Sequence, residues 1–195
     1  RVVANGSYST AENPKRPALD AAFGLSGVSF RETFDKFVTI QKMAPIFENI
    51  QGDYSGSIHI DTRLDSLMNP LYATLNGGGA ITTNDVSISN VKALDALADA
   101  IKRPDLKNIQ VRDLDLKFAI REGRVHTQPF DIKMGDTKMN LSGSTGIDQT
   151  IDYTGKITLP ASAGIASQLT TVDVKIGGTF DAPKVSLDMQ GMVNQ

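Results

Sequence analysis

The sequence predicts a mainly β, α+β fold: a large curved antiparallel β-sheet, half-barrel or groove-like, with two main helices packed on or capping its apolar face. Three observations predict it. Apolar and polar residues alternate with a two-residue period over most of the chain, as in residues 151–159, where Ile151, Tyr153, Ile157 and Leu159 interleave with Asp152, Thr154, Lys156 and Thr158. Only residues 30–49 and 92–102 carry helical spacing instead. Two strand patterns also change phase midway, and bulges of that kind bend a sheet.

Residues 2–8 read as the first strand, and Pro14 and Pro17 break the chain after it. Leu19, Ala21, Phe23 and Leu25 then alternate with more polar neighbours and predict a second strand. Ser29 and Glu32 fit a capping box, so a helix is expected to start there and to kink near Met43, because Pro45 removes a helical hydrogen bond. Residues 52–64 form a long amphipathic strand, and 64–72, which contains Pro70, reads as a short helix or loop. Gly77 to Gly79 opens two short strands, 80–83 and 86–90, joined by a tight hairpin at Asn84 and Asp85. Leu94, Leu97, Ala98 and Ile101 mark the second helix, with Pro104 as its stop signal.

From there the chain reads as strand: 109–121, 125–134, 138–144, 151–159, 171–180 and 185–189, with a loop from Pro160 to Ser167. Within 109–121 the apolar positions pass from odd to even, which predicts a bulge at Arg112 and Asp113. A second phase change falls at Pro129.

With 195 residues, 40% of them hydrophobic, one domain spanning 1–195 with its own core is the expectation. A net charge of -2 supplies no field to hold a polyanion, so no nucleic-acid partner is expected. The absence of cysteine excludes disulfides, thiolate metal sites and a cysteine nucleophile. His59 and His126 lie in strand patterns where both face the polar side, with no metal-ligand spacing. No G-x-S-x-G elbow, phosphate loop or calcium loop occurs. No catalytic residue, metal or cofactor is therefore assigned. The enzyme alternative, a glycan hydrolase, requires two carboxylates about 5 to 10 Å apart across a cleft.

What remains is the apolar face of the sheet. Ile58, Ile60, Phe118, Ile151, Tyr153 and Ile157 are the candidate wall residues, offering contact to lipid acyl chains. The bland alternative is a structural or docking module whose apolar face is filled by its own helices.

A set of ordered motifs carries a family resemblance: Asn5 to Tyr8 with Pro17 to Asp20, Met43 to Gly52, Gly79 to Thr83, Phe118 to Val125 with Pro129 and Phe130, and Leu141 to Asp148 with Ile151 to Tyr153. In that order they resemble the C-terminal region of the AsmA family of bacterial envelope proteins, in its Bacteroidota form. The resemblance implies a non-enzymatic periplasmic module supporting outer-membrane biogenesis. It also implies an anchor in the inner membrane, through a segment outside this chain, and partners among phospholipid acyl chains and envelope proteins. The chain enters its first strand almost at once and reads as a fragment of such a longer protein.

Overall fold

The computed structural model describes residues 1–160 and 170–188. Among them, thirteen strands and three α-helices follow the order β1 Val2–Ser9, β2 Ala18–Ser29, α1 Phe30–Lys36, α2 Val38–Met43, β3 Ile50–Gln51, β4 Asp53–Arg63, β5 Asn76–Thr82, β6 Asp85–Ser89, α3 Lys92–Ala100, β7 Asn108–Arg112, β8 Asp115–Arg121, β9 Arg124–Met134, β10 Thr137–Thr145, β11 Ile151–Leu159, β12 Thr170–Gly178 and β13 Pro183–Asp188. Ten strands form one open antiparallel sheet in the order β1-β2-β4-β5-β8-β9-β10-β11-β12-β13, and β3-β6-β7 form a second, small one. Residues from β2 through β13 pack into one common core, so the large sheet wraps around its own contents. The predicted loop beyond Pro160 and the last predicted strand residue, Met189, lie outside the described residues.

The predicted hairpin at Asn84 and Asp85 does not form. β5 pairs with β4 and β8 in the large sheet, while β6 pairs with β3 and β7 in the small one. Nor is 109–121 one bulged strand. It divides into β7 and β8, which belong to different sheets. Both corrections have one cause. β5 and β6 run against β8 and β7 as a single two-stranded ribbon whose register holds from Gly77 opposite Ile120 to Ser89 opposite Asn108. The Thr83 and Asp113 amides, donating to the Leu114 and Asn84 carbonyls at 2.9 Å each, carry the ladder across the junction. There the ribbon rolls over, with Asp113 at φ 52, and its buried side passes from Ile81 and Leu116 to Val86 and Val111. Because both strands change phase together, no extra residue is needed.

The expected long helix is also divided. Ser29 caps α1 by accepting from the Glu32 amide at 3.2 Å, but the Glu32 carboxylate turns to Lys36 instead of completing the box. The break falls at Phe37, which is extended (φ -122, ψ 108), and Gln41 Nε2 donates to the Phe34 carbonyl at 2.9 Å there. Pro45 starts a separate 3-10 turn, Pro45–Asn49, as befits a residue without an amide donor. α3 ends in a Schellman motif: Lys102 adopts φ 57, and the Arg103 amide donates to the Ala98 carbonyl at 2.8 Å.

The phase change at Pro129 is a true bulge, since the β9–β10 register shifts between Leu141 and Gly143. The irregular stretch 64–72 begins as a hairpin tip, with Leu64 bridged to Pro70. The Asp65 carboxylate accepts from the amides of Asn69 at 2.9 Å and Leu67 at 2.8 Å, and these bonds, that from Asn69 foremost, hold its pKa below the usual carboxylate value. A depressed folded pKa means that this carboxylate supports the turn above its unfolded value of about 4 and loses that effect as pH falls through the folded value. The Leu67 and Asn69 amide resonances are therefore expected to shift in an NMR titration only well into the acid range, below the ordinary carboxylate midpoint.

Candidate functional site

Alternation and register together define an inner face of the large sheet. Cross-strand neighbours share a face, and one row runs through all ten strands without interruption: Ala4, Phe23, Ile58, Gly79, Phe118, Thr127, Gly143, Tyr153, Ile176 and Val185. The adjacent row contains Ala21, Ile60, Ile120, Val125 and Ile151. Further along the strands, Ile132, Met139, Ile157 and Val172 form another. No position in these rows carries a charge. The charged residues occupy the opposite face, where His59 meets Asp20 at 3.2 Å and where Lys117, Asp131, Lys156 and Lys175 project. His126 pairs with Ala119 and Ser144 on that same outer face.

Glycines in the row make room for aromatics. Gly79 lies opposite Phe118 and Gly143 opposite Tyr153. A Cβ at Gly143 would fall 2.7 Å from the Tyr153 ring, and one at Gly79 would fall 3.2 Å from the Phe118 ring tip. The large ring therefore covers its small neighbour. Tyr153 keeps its hydroxyl within 3.0 Å of Thr145 Oγ1, and burial pushes its pKa up.

All six predicted wall residues lie on this face, but not under equal cover. Ile157 has no exposed surface, like Met139 and Val172 on either side of it, and Ile151 is also buried. Here the small sheet and α3 fill the space, with Val86, Ile109, Val111, Leu97 and Ala98 in the same cluster. Ile60 and Phe118 are half-buried and touch a second cluster of Met43, Leu75 and Ile120, through which α2 covers the middle of the face. Ile58 is half-buried and joins neither cluster, and neither does Phe23 beside it. The face is thus closed over β8 to β13, capped in the middle, only half-covered along Phe23 and Ile58, and exposed at β1.

Phe23, and with it Leu19 and Ala21, belongs to the site by register, although the wall residues chosen from sequence omit it. Its signal was the same two-residue period in the second strand, which reads too weakly by itself because Ala and Gly dilute the hydrophobicity. At the open end Val2 and Tyr8 are more than half exposed, as are Phe37 and Val38 at the break between α1 and α2. Two depressions of about 580 Å³ lie elsewhere, one on the outer side of β10 to β13 beside Asn140, Lys156 and Lys175, the other between Arg112, Asp131 and Lys133.

Among the described residues, no acidic side chain is buried, no group of three or more potential metal ligands converges, and no helix is long and apolar enough to cross a membrane. Comparison with known proteins gives no match to a family model, a curated protein or a solved structure.

Proposed function

We propose that the chain is a non-enzymatic module of the cell envelope that holds or passes lipid acyl chains along the inner face of its sheet. The observation that carries this reading is the charge-free row spanning ten strands, only half-covered along Phe23 and Ile58 and exposed at β1. Each methylene removed from water there contributes about 0.8 kcal/mol without any directional bond, so binding would follow chain length more than headgroup. The resemblance to the C-terminal region of the AsmA family supports the periplasmic setting, the inner-membrane anchor outside this chain and the role in outer-membrane biogenesis.

A second reading has its own support. Met139, Ile157 and Val172 have no exposed surface, so the closed half is an ordinary packed core and the whole molecule could serve as a structural or docking module. A native mass spectrum after mild purification, with uptake of a fluorescent phospholipid, separates the two. Bound phospholipid, and uptake weakened about tenfold or more by Ile58→Asp with folding retained, is the expected result; tenfold corresponds to about 1.4 kcal/mol. A ligand-free protein that takes up no lipid leaves the docking reading in its place.

A further inference from the structure

Leu67 and Met68 sit side by side at the hairpin tip between β4 and β5, 79% and 55% exposed, and no other large apolar side chain among the described residues is as exposed as Leu67. The tip is firmly held. The Met68 amide donates to the Asp65 carbonyl at 3.0 Å, the Asp65 amide to the Asn69 carbonyl at 2.9 Å and the Leu71 amide to the Arg63 carbonyl at 2.7 Å, while the Asp65 carboxylate takes the Leu67 and Asn69 amides. β4 pairs with β2 and β5, and β5 with β4 and β8, so the tip stands on strands bonded along both sides. Met68 adds a backbone cost. It adopts φ 65, in the left-handed region where glycine is the unstrained choice, and the other non-glycine residues with positive φ among the described residues, Asn90, Lys102, Asp113, Glu122 and Gln149, are all polar. The chain gives up stability twice here, for strain and for exposed apolar surface, and both are marks of a functional contact.

The neighbouring loop supplies charge. The Leu64 amide donates to the Pro17 carbonyl at 2.9 Å, which ties the base of the tip to the loop 10–17. That loop is ordered by Asn13, whose carbonyl accepts from the Arg16 amide and whose Oδ1 accepts from the Lys15 amide, each at 3.0 Å. The acids of the two loops are already engaged: Glu12 pairs with Arg63, and Asp65 bonds its own turn. Lys15 and Arg16 are exposed, and neither enters an ion pair among the described residues.

We propose that this end of the sheet docks on an anionic lipid bilayer, with Leu67 and Met68 entering the interface and Lys15 and Arg16 meeting the lipid phosphates. Charge selects the surface: two unpaired cations beside an apolar tip match a layer of phosphates over hydrocarbon. Size argues against a protein partner, since a stable interface takes roughly 800 Å² from each side, far more than two side chains present. A bilayer needs no matching surface. The inference goes beyond the carriage of acyl chains by the inner face and holds without it.

The chain has no tryptophan, so Leu67→Trp provides a single indole at the tip. Vesicles of equal parts phosphatidylglycerol and phosphatidylethanolamine are expected to shift its emission to the blue, and brominated acyl chains to quench it, whereas phosphatidylcholine vesicles do neither. Co-flotation of the wild-type chain with the anionic vesicles is expected to weaken about tenfold or more in Leu67→Asp, and likewise when Lys15→Glu and Arg16→Glu are combined, and to weaken with added salt. Met68→Gly separates docking from folding: it removes the strain and the apolar side chain together, so vesicle binding falls while the melting temperature does not. Uptake of a fluorescent phospholipid from detergent micelles is expected to be the same in Leu67→Asp as in the wild type, so failure of docking and failure of lipid carriage are read separately. A wild-type chain that does not float with anionic vesicles, an indole that does not shift, or equal binding by Leu67→Asp overturns the proposal. A dimer of the chain alone that Leu67→Asp abolishes overturns it in favour of a second copy.

Discussion

Ile157→Ala is expected to lower the unfolding free energy by about 2 to 5 kcal/mol, whereas Ile58→Ala costs about 1 kcal/mol or less. Both residues lie on the inner face, and both read from sequence as the same kind of wall residue. They differ in what surrounds them. Ile157 is fully buried, with Met139 and Val172 as its cross-strand neighbours, and those are fully buried too. Truncation there removes dispersion contacts and leaves a cavity that three rigid strands cannot collapse into. Ile58 is half-buried and joins no cluster, so alanine gives up only part of a side chain to water. Urea unfolding with an unchanged slope measures the difference. Equal costs would mean that the face is packed alike along its length, and the thinner cover over Phe23 and Ile58 would lose its physical basis.

The face was legible in the sequence because period-two alternation depends only on neighbours along the chain. Ile58, Ile60, Phe118, Ile151, Tyr153 and Ile157 all fall on one side as the pattern requires. Burial was not legible, since it depends on which distant element lies over each residue. The α1–α2 segment makes the same point: Phe37 and Val38 follow the helical stripe with Phe34, yet they are 57% and 61% exposed.

Strand pairing was the other gap. Asn84 and Asp85 look like a hairpin turn by residue type, and nothing local reveals that the strands on either side of them pair with 115–120 and 108–112. The phase did hold a clue. Apolar positions pass from Ile81 to Val86 and Ile88 in one segment, and from Val111 to Leu114 in the other. Two phase changes facing each other in an antiparallel pair mark a ribbon that rolls from one sheet into the next. Read singly, each looks like a bulge.

Phe30→Ala is expected to cost about 3 to 5 kcal/mol, a large share of the roughly 5 to 15 kcal/mol by which a domain of this kind is stable. Phe30 is the first residue of α1 and 1% exposed, its ring centroid 4.9 Å from Phe47 and 4.6 Å from Tyr54. Three rings therefore join the helix, the 3-10 turn and β4, and the Phe30 amide adds a bond to the Gly52 carbonyl at 3.2 Å. Tyr54→Phe is the control. Thr33 Oγ1 donates to the Ser29 carbonyl at 2.7 Å and accepts from the Tyr54 hydroxyl at 3.0 Å, so removing that hydroxyl leaves no buried donor orphaned. Its expected cost is about 0.5 to 1.5 kcal/mol. Amide exchange then reads the consequence for the face. If the aromatic cluster anchors the whole helical cover, Phe30→Ala speeds exchange in α1 and α2 together and raises uptake of a fluorescent lipid. If α2 keeps its protection, then the Met43, Leu75 and Ile120 cluster holds that part of the cover by itself, and access to Ile60 and Phe118 is set there.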